Sequence, residues 1–108
     1  IDNLESYERD GLIVEYDRHL VLLNGKEVHL TKNEFKILTL LCRYSGRVLT
    51  YDFIIKSVWG NGASGGNGIL RVNITNLRKK IEQNSNSPLY LFTENGVGYR
   101  MAENQKCG

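Results

Sequence analysis

The sequence predicts an α+β domain: an N-terminal antiparallel sheet, a three-helix core and a C-terminal β-hairpin. Three observations carry that expectation. Residues 12–30 alternate apolar and polar side chains around Asn24-Gly25. From Thr31 the apolar spacing changes to that of helices, interrupted only by short polar or glycine-rich breaks, until about residue 83. Finally, "LYLFTE" and "GVGYRM" flank the turn residues Glu94-Asn95-Gly96.

Each element has a local reason. "LIVEYD" and "HLVLLNGKEVHL" have the period of half-buried strands, and Asn-Gly accepts the positive φ angles of a two-residue hairpin turn. Two or three short strands are expected there, with "LESYE" a candidate for one more. Thr31 followed by Glu34 has the capping-box spacing for a helix start, Phe35, Leu38, Leu41 and Cys42 recur at helical intervals, and Gly46 supplies the stop. A shorter helix begins near Thr50, buries Phe53, Ile54 and Val58 and ends at Gly60. Residues 60–67, "GNGASGGN", form a loop by composition, and a third helix spans about 68–83. Within the chain, residues 1–10 are expected to be a linker remnant, 11–102 the folded domain and 103–108 a flexible tail.

The third helix is the informative one. Leu70, Ile74, Leu77 and Ile81 fall on one narrow stripe, which is the pattern of a core-facing surface. The opposite side carries Val72, Thr75, Asn76 and Lys79, with Arg71 and Arg78 flanking the stripe and Asn73 on its other flank. No acid occurs between residues 53 and 81, so the usual Glu–Lys pairing of a solvated helix is missing. Asn and Thr are poor helix formers on an exposed face, which points to contact with a partner. An amide can pair with adenine, a methyl-bearing side chain can pack on the thymine methyl, and Arg and Lys can reach phosphates.

Charge distribution agrees. The net charge is +2, but residues 1–58 hold eight Lys/Arg against nine Asp/Glu, whereas residues 59–108 hold six against three. The basic excess therefore lies in the half that carries the third helix. At the hairpin, Asn95, Gly96, Val97 and Gly98 make the tip, with Arg100 behind it. The tip glycines serve turn geometry equally well.

"LTKNEFKILTLL", "VWG", "LRVNITNLRKKIE" and "TENGVGYRM", in that order and spacing, resemble the OmpR/PhoB-type winged helix-turn-helix, the DNA-binding output domain of two-component response regulators. The likeness covers about residues 10–102. It implies a four-stranded N-terminal sheet, a third helix in the major groove of double-stranded DNA and a hairpin wing in the minor groove. The positions matching the family's DNA contacts are Val72, Asn73, Thr75, Asn76, Arg78 and Lys79, and Trp59 matches a tryptophan whose ring nitrogen can meet a phosphate. Arg71, Asn95, Val97 and Arg100 complete the expected DNA-binding set. Asn95 stands where some relatives carry arginine, and Gly68 replaces a polar or basic residue, so fewer electrostatic contacts are expected.

By the same resemblance, loop 60–67 could face RNA polymerase, a receiver domain is expected to precede this one, and the target is expected to be tandem half-sites. "TENGVGYRM" with "LRVN" resembles a KdpE-like subgroup. The alternative is a winged-helix protein-interaction module that does not bind DNA.

Other classes are disfavoured. There is no phosphate-binding G-x-x-x-x-G-K-[ST] loop, no Cys/His cluster of metal-ligand spacing and no assembled nucleophile–base set, so neither catalysis, cofactor nor metal is expected. His19 and His29 are expected in strands. No run is apolar enough for a membrane span, and no export signal is visible. Cys42 lies in an apolar run and Cys107 in a polar tail, so a disulfide is not expected and the cytoplasm is the expected compartment.

Overall fold

A computed structural model describes residues 6–60 and 67–106. Ten elements follow one another: β1 (Ser6–Arg9), β2 (Leu12–Glu15), β3 (Leu20–Leu23), β4 (Lys26–Glu27), α1 (Lys32–Arg43), β5 (Val48–Thr50), α2 (Tyr51–Trp59), α3 (Gly68–Ile81), β6 (Leu91–Glu94) and β7 (Gly98–Met101). The first four strands form an antiparallel sheet in sequence order, and β5, β7 and β6 form a second sheet in that spatial order. The α+β expectation, the four-stranded first sheet, the three helices and the closing hairpin all hold.

Side-chain alternation places the core. Tyr7, Leu12, Val14 and Val21 point inward from the first sheet and are buried. Asn24 and Gly25 both have positive φ, 52° and 86°, as the expected hairpin turn requires. Ile37, Leu38 and Leu41 of α1, Ile54 of α2 and the four-residue stripe of α3 meet them, and Leu91, Tyr99 and Met101 close the far side. Burial pushes the Cys42 thiol well above its ordinary value, consistent with an inert packing role.

The expected capping box holds, and Thr50 caps the second helix as well. Thr31 Oγ1 accepts from Glu34 N at 3.2 Å while Glu34 Oε1 accepts from Thr31 N at 3.0 Å. Thr50 Oγ1 accepts from Phe53 N at 3.1 Å. Glu34 does more than cap. Its buried carboxylate receives the Lys80 ammonium at 2.6 Å and so ties the start of α1 to the end of α3. Burial by itself would raise the Glu34 pKa, but the Lys80 and Thr31 hydrogen bonds outweigh it and hold the group below its ordinary 4.5.

The structure differs from the sequence reading in several places. Ser6–Arg9, placed in the linker although "LESYE" was a candidate strand, is a strand paired with β2, and Tyr7 is fully buried with its hydroxyl donating to Ala102 O at 2.7 Å. Residues 103–106 of the expected tail are held along β1. Gln105 N donates to Glu8 O at 2.8 Å, Asn104 Oδ1 accepts from Glu8 N at 3.0 Å, and Gln105 Oε1 accepts from Asp10 N at 3.0 Å. Cys107 lies outside the described residues. β5 was not foreseen, because three residues between two helices are too short to show a period.

Phe53 is 42% exposed rather than buried; it meets the Tyr44 ring edge-on at 5.9 Å. His19 occupies a turn at φ 50°, stacked on Phe35 at 4.6 Å, and His29 follows β4 in irregular, exposed backbone. Helix α3 ends at Ile81, where Glu82 turns extended.

β5 crosses β7 closely. A Cβ on Gly98 would stand 1.8 Å from the backbone oxygen of Leu49, so only glycine fits. Gly98→Ala is expected to destabilise the domain by about 3 kcal/mol or more in urea unfolding. A second expectation concerns acid. The depressed Glu34 pKa gives a stabilisation fully present above the unfolded value near 4.5 and lost as pH falls through the lower folded value. Glu34→Gln should therefore flatten the stability-versus-pH curve below about pH 4.5.

Candidate nucleic-acid interface

Helix α3 is held by its stripe. Leu70, Ile74, Leu77 and Ile81 are each 0–1% exposed, and burying such side chains contributes about 1.5–3 kcal/mol apiece. With that face fixed, the opposite one must face outward. Val72 is 59% exposed, and Arg71, Thr75, Asn76 and Lys79 are exposed with it, where the sequence placed them. Thr31 and Thr50 cap the other two helices, whereas no side chain caps α3 and no acid lies in its first turn.

Two expected contact residues are occupied within the fold. Asn73 is half-buried, and its Nδ2 donates back to Ile69 O at 2.8 Å. Arg78 is also half-buried. It donates through Nε and Nη2 to Leu91 O at 3.3 and 3.1 Å and through Nη2 to Thr93 Oγ1 at 2.6 Å. One turn on, the buried Glu82 carboxylate accepts from Leu89 N at 2.7 Å, Tyr90 N at 3.0 Å and Leu91 N at 2.9 Å. Together the two side chains satisfy donor and acceptor groups at the start of β6 and in the two residues before it, a role that sequence pattern could not reveal. Lys80, basic and exposed, is likewise engaged by Glu34.

The hairpin is set from both sides. Arg78 and Glu82 fasten β6 to α3, while Tyr51 N donates to Val97 O at 3.3 Å and β5 pairs with β7. Tyr99 lies at the junction, edge-on to Tyr51 at 5.5 Å and beneath the Arg78 guanidinium at 5.8 Å. Burial raises its phenol pKa and Tyr51 adds to this, with Arg78 and Arg71 acting in the opposite direction. At the tip, Val97 N bonds Glu94 O at 2.9 Å, Gly96 has φ 77°, Asn95 is exposed and Val97 is 50% exposed.

Arg100 alternates with Tyr99 and so points to the other sheet face. There it pairs with Glu94 at 3.1 Å and covers the Phe92 ring at 4.7 Å, so its charge is already used. Trp59 ends α2 half-buried against the core. Residues 61–66, most of the loop assigned to RNA polymerase, lie outside the described residues. Ile69, 50% exposed in the first turn of α3, was not assigned a role by the sequence reading. Among the described residues no group of acids, histidines and cysteines is placed to hold a metal ion, and no helix is long and apolar enough to cross a membrane.

A four-stranded sheet, a three-helix core and a closing hairpin beside α3 are the architecture that the resemblance implied. The family model for the C-terminal part of transcriptional regulatory proteins matches residues 25–101. The chain belongs to that family. Among its relatives, the sensory transduction protein RegX3 of Mycolicibacterium smegmatis is 37% identical over 106 residues, 93% of this chain and 46% of RegX3. The transcriptional regulatory protein KdpE of Mycobacterium tuberculosis is 37% identical over 93 residues, 86% of this chain and 41% of KdpE, so identity does not favour a KdpE-like subgroup. The Klebsiella pneumoniae RstA DNA-binding domain, solved in complex with the RstA box, superposes with a TM-score of 0.82 at 26% identity, covering 91% of this chain and 97% of RstA's. The chain thus spans less than half the length of these curated regulators.

The edge clamp on β6 has a measurable consequence. Glu82→Ala should speed exchange of the Leu91 amide, which bonds its carboxylate, about tenfold, equivalent to ~1.4 kcal/mol, while the β2–β3 amides keep their rates.

Proposed function

We propose that this domain binds double-stranded DNA sequence-specifically as the output domain of a two-component response regulator and thereby regulates transcription. The observation that carries the reading is the acid-free face of α3. It exposes Val72, Thr75, Asn76 and Lys79 beside a hairpin that the fold holds at a fixed angle. Family membership and the RstA domain's complex with its DNA box support it.

In this reading α3 enters the major groove. Asn76 reads a base edge, Thr75 and Val72 pack or bond beside it, and Lys79 and Arg71 meet phosphates. Trp59 borders the groove at the end of α2. Asn95 and Val97 at the wing tip approach the minor groove. Arg78, Asn73 and Arg100 serve chiefly to hold the surface in shape. The preceding receiver, pairing on tandem half-sites and an RNA polymerase contact through loop 60–67 belong to the same proposal.

Titrating the domain into a random duplex pool at two salt concentrations, and sequencing what is retained, tests it. Enrichment of a short motif that weakens steeply with salt is expected. Lys79→Ala should lower the log–log salt slope by roughly 0.9, and Arg78→Ala should leave the slope nearly unchanged. Asn76→Ala should reduce specific binding by about tenfold while sparing nonspecific binding. Binding of a protein partner that ignores salt and survives Lys79→Ala, with no duplex retained, would favour the interaction-module alternative.

A further inference from the structure

The chemistry of the open α3 face is narrower than its charge suggests. Its exposed residues in the first two turns include Ile69, at 50%, and Val72, at 59%, three positions apart and on the same side. Both are β-branched, which lowers helix propensity, and neither buries its side chain within the domain. Asn76 continues the same line one turn later, with Thr75 at its side.

Arginine, the usual reader of guanine, is absent from this line. Arg78 is bonded to β6, and Arg71 lies on the flank near the Tyr99 phenol. Asn73 has its amide on Ile69 O, which leaves Asn76 as the outward amide. What remains is two branched aliphatics, a methyl-bearing hydroxyl and one amide.

Resting on the DNA-binding reading, we propose that α3 reads an A·T-rich half-site, with Ile69 and Val72 packed on thymine 5-methyl groups and Asn76 on an adenine edge. In the major groove only thymine offers a methyl group, and an amide matches the N6/N7 pair of adenine. The N-terminal residues of a recognition helix are the ones that approach base edges, and Ile69 and Val72 lie in the first turns of α3. The nearest cation on this line, Lys79, is two turns from Val72, so guanine contacts are confined to the C-terminal end of the footprint.

The test takes the duplex enriched from the random pool and replaces its thymines, one at a time, with deoxyuridine. That removes the methyl and keeps the pairing. The wild-type domain is expected to lose about threefold to fivefold in affinity at one or two positions. An Ile69→Ala/Val72→Ala double variant is expected to bind the thymine and uracil duplexes equally. Both residues are exposed, so the variant should keep its unfolding midpoint. Indifference of the wild type to every uracil, or a guanine-rich motif under α3, overturns the proposal. So does a double variant that keeps the wild-type preference. Retention of no duplex at all would instead overturn the DNA-binding reading, and this inference with it.

Discussion

Helix α3 can present a surface only because its other side cannot move. The buried stripe from Leu70 to Ile81 fixes its rotation, and the two charged residues near its C-terminal end fix what lies beside it. Glu82 is the stronger constraint. A buried carboxylate with three backbone donors has a defined geometry and would be costly to leave unpaired. Since those donors belong to residues 89–91, the chain that leaves the helix must return beside it, and the hairpin follows at a set distance and tilt. Removing the stripe would unfold the domain. Loosening the carboxylate would keep the domain but free the hairpin.

Three carboxylates illustrate how differently one chemical group is used. Glu34 is buried and shared between a helix cap and a lysine from another helix. Glu82 is buried and bonded to backbone alone in the contacts described. Glu94 is half-buried and holds Arg100 on the far side of the second sheet. None of them lies on the outward face of α3. The basic residues of that face are therefore not offset by an acid beside them on α3.

Much of this was legible in the sequence, for identifiable reasons. Capping boxes, Asn-Gly turns and a four-residue aliphatic stripe are local signals, so Thr31, Asn24-Gly25 and Leu70–Ile81 behave as their spacing implies. Roles that depend on distant partners were not legible. Arg78 and Lys79 are adjacent and equally basic, yet one is bound to Leu91 and Thr93 while the other is exposed. Lys80 differs from Lys79 only in facing Glu34. Phe53 misled because hydrophobicity was taken for burial. The strand β1 was read only as a candidate, from "LESYE", because Glu5, Glu8, Arg9 and Asp10 give residues 1–10 the composition of a linker.

The segment after β7 adds a mechanical property. Asn104 and Gln105 bond along the edge of β1 with their side-chain amides as well as with backbone, and Arg9 and Lys106 add cross-links to Glu103 O and Ser6 Oγ. β7 therefore continues, through Met101 and Ala102, into a seam that lies directly on the first strand. A tug or twist applied at β1 would travel along this seam to the root of the hairpin without crossing the helical core. The two ends of the described chain are thereby joined to each other and to the root of the hairpin by hydrogen bonds rather than by helix packing.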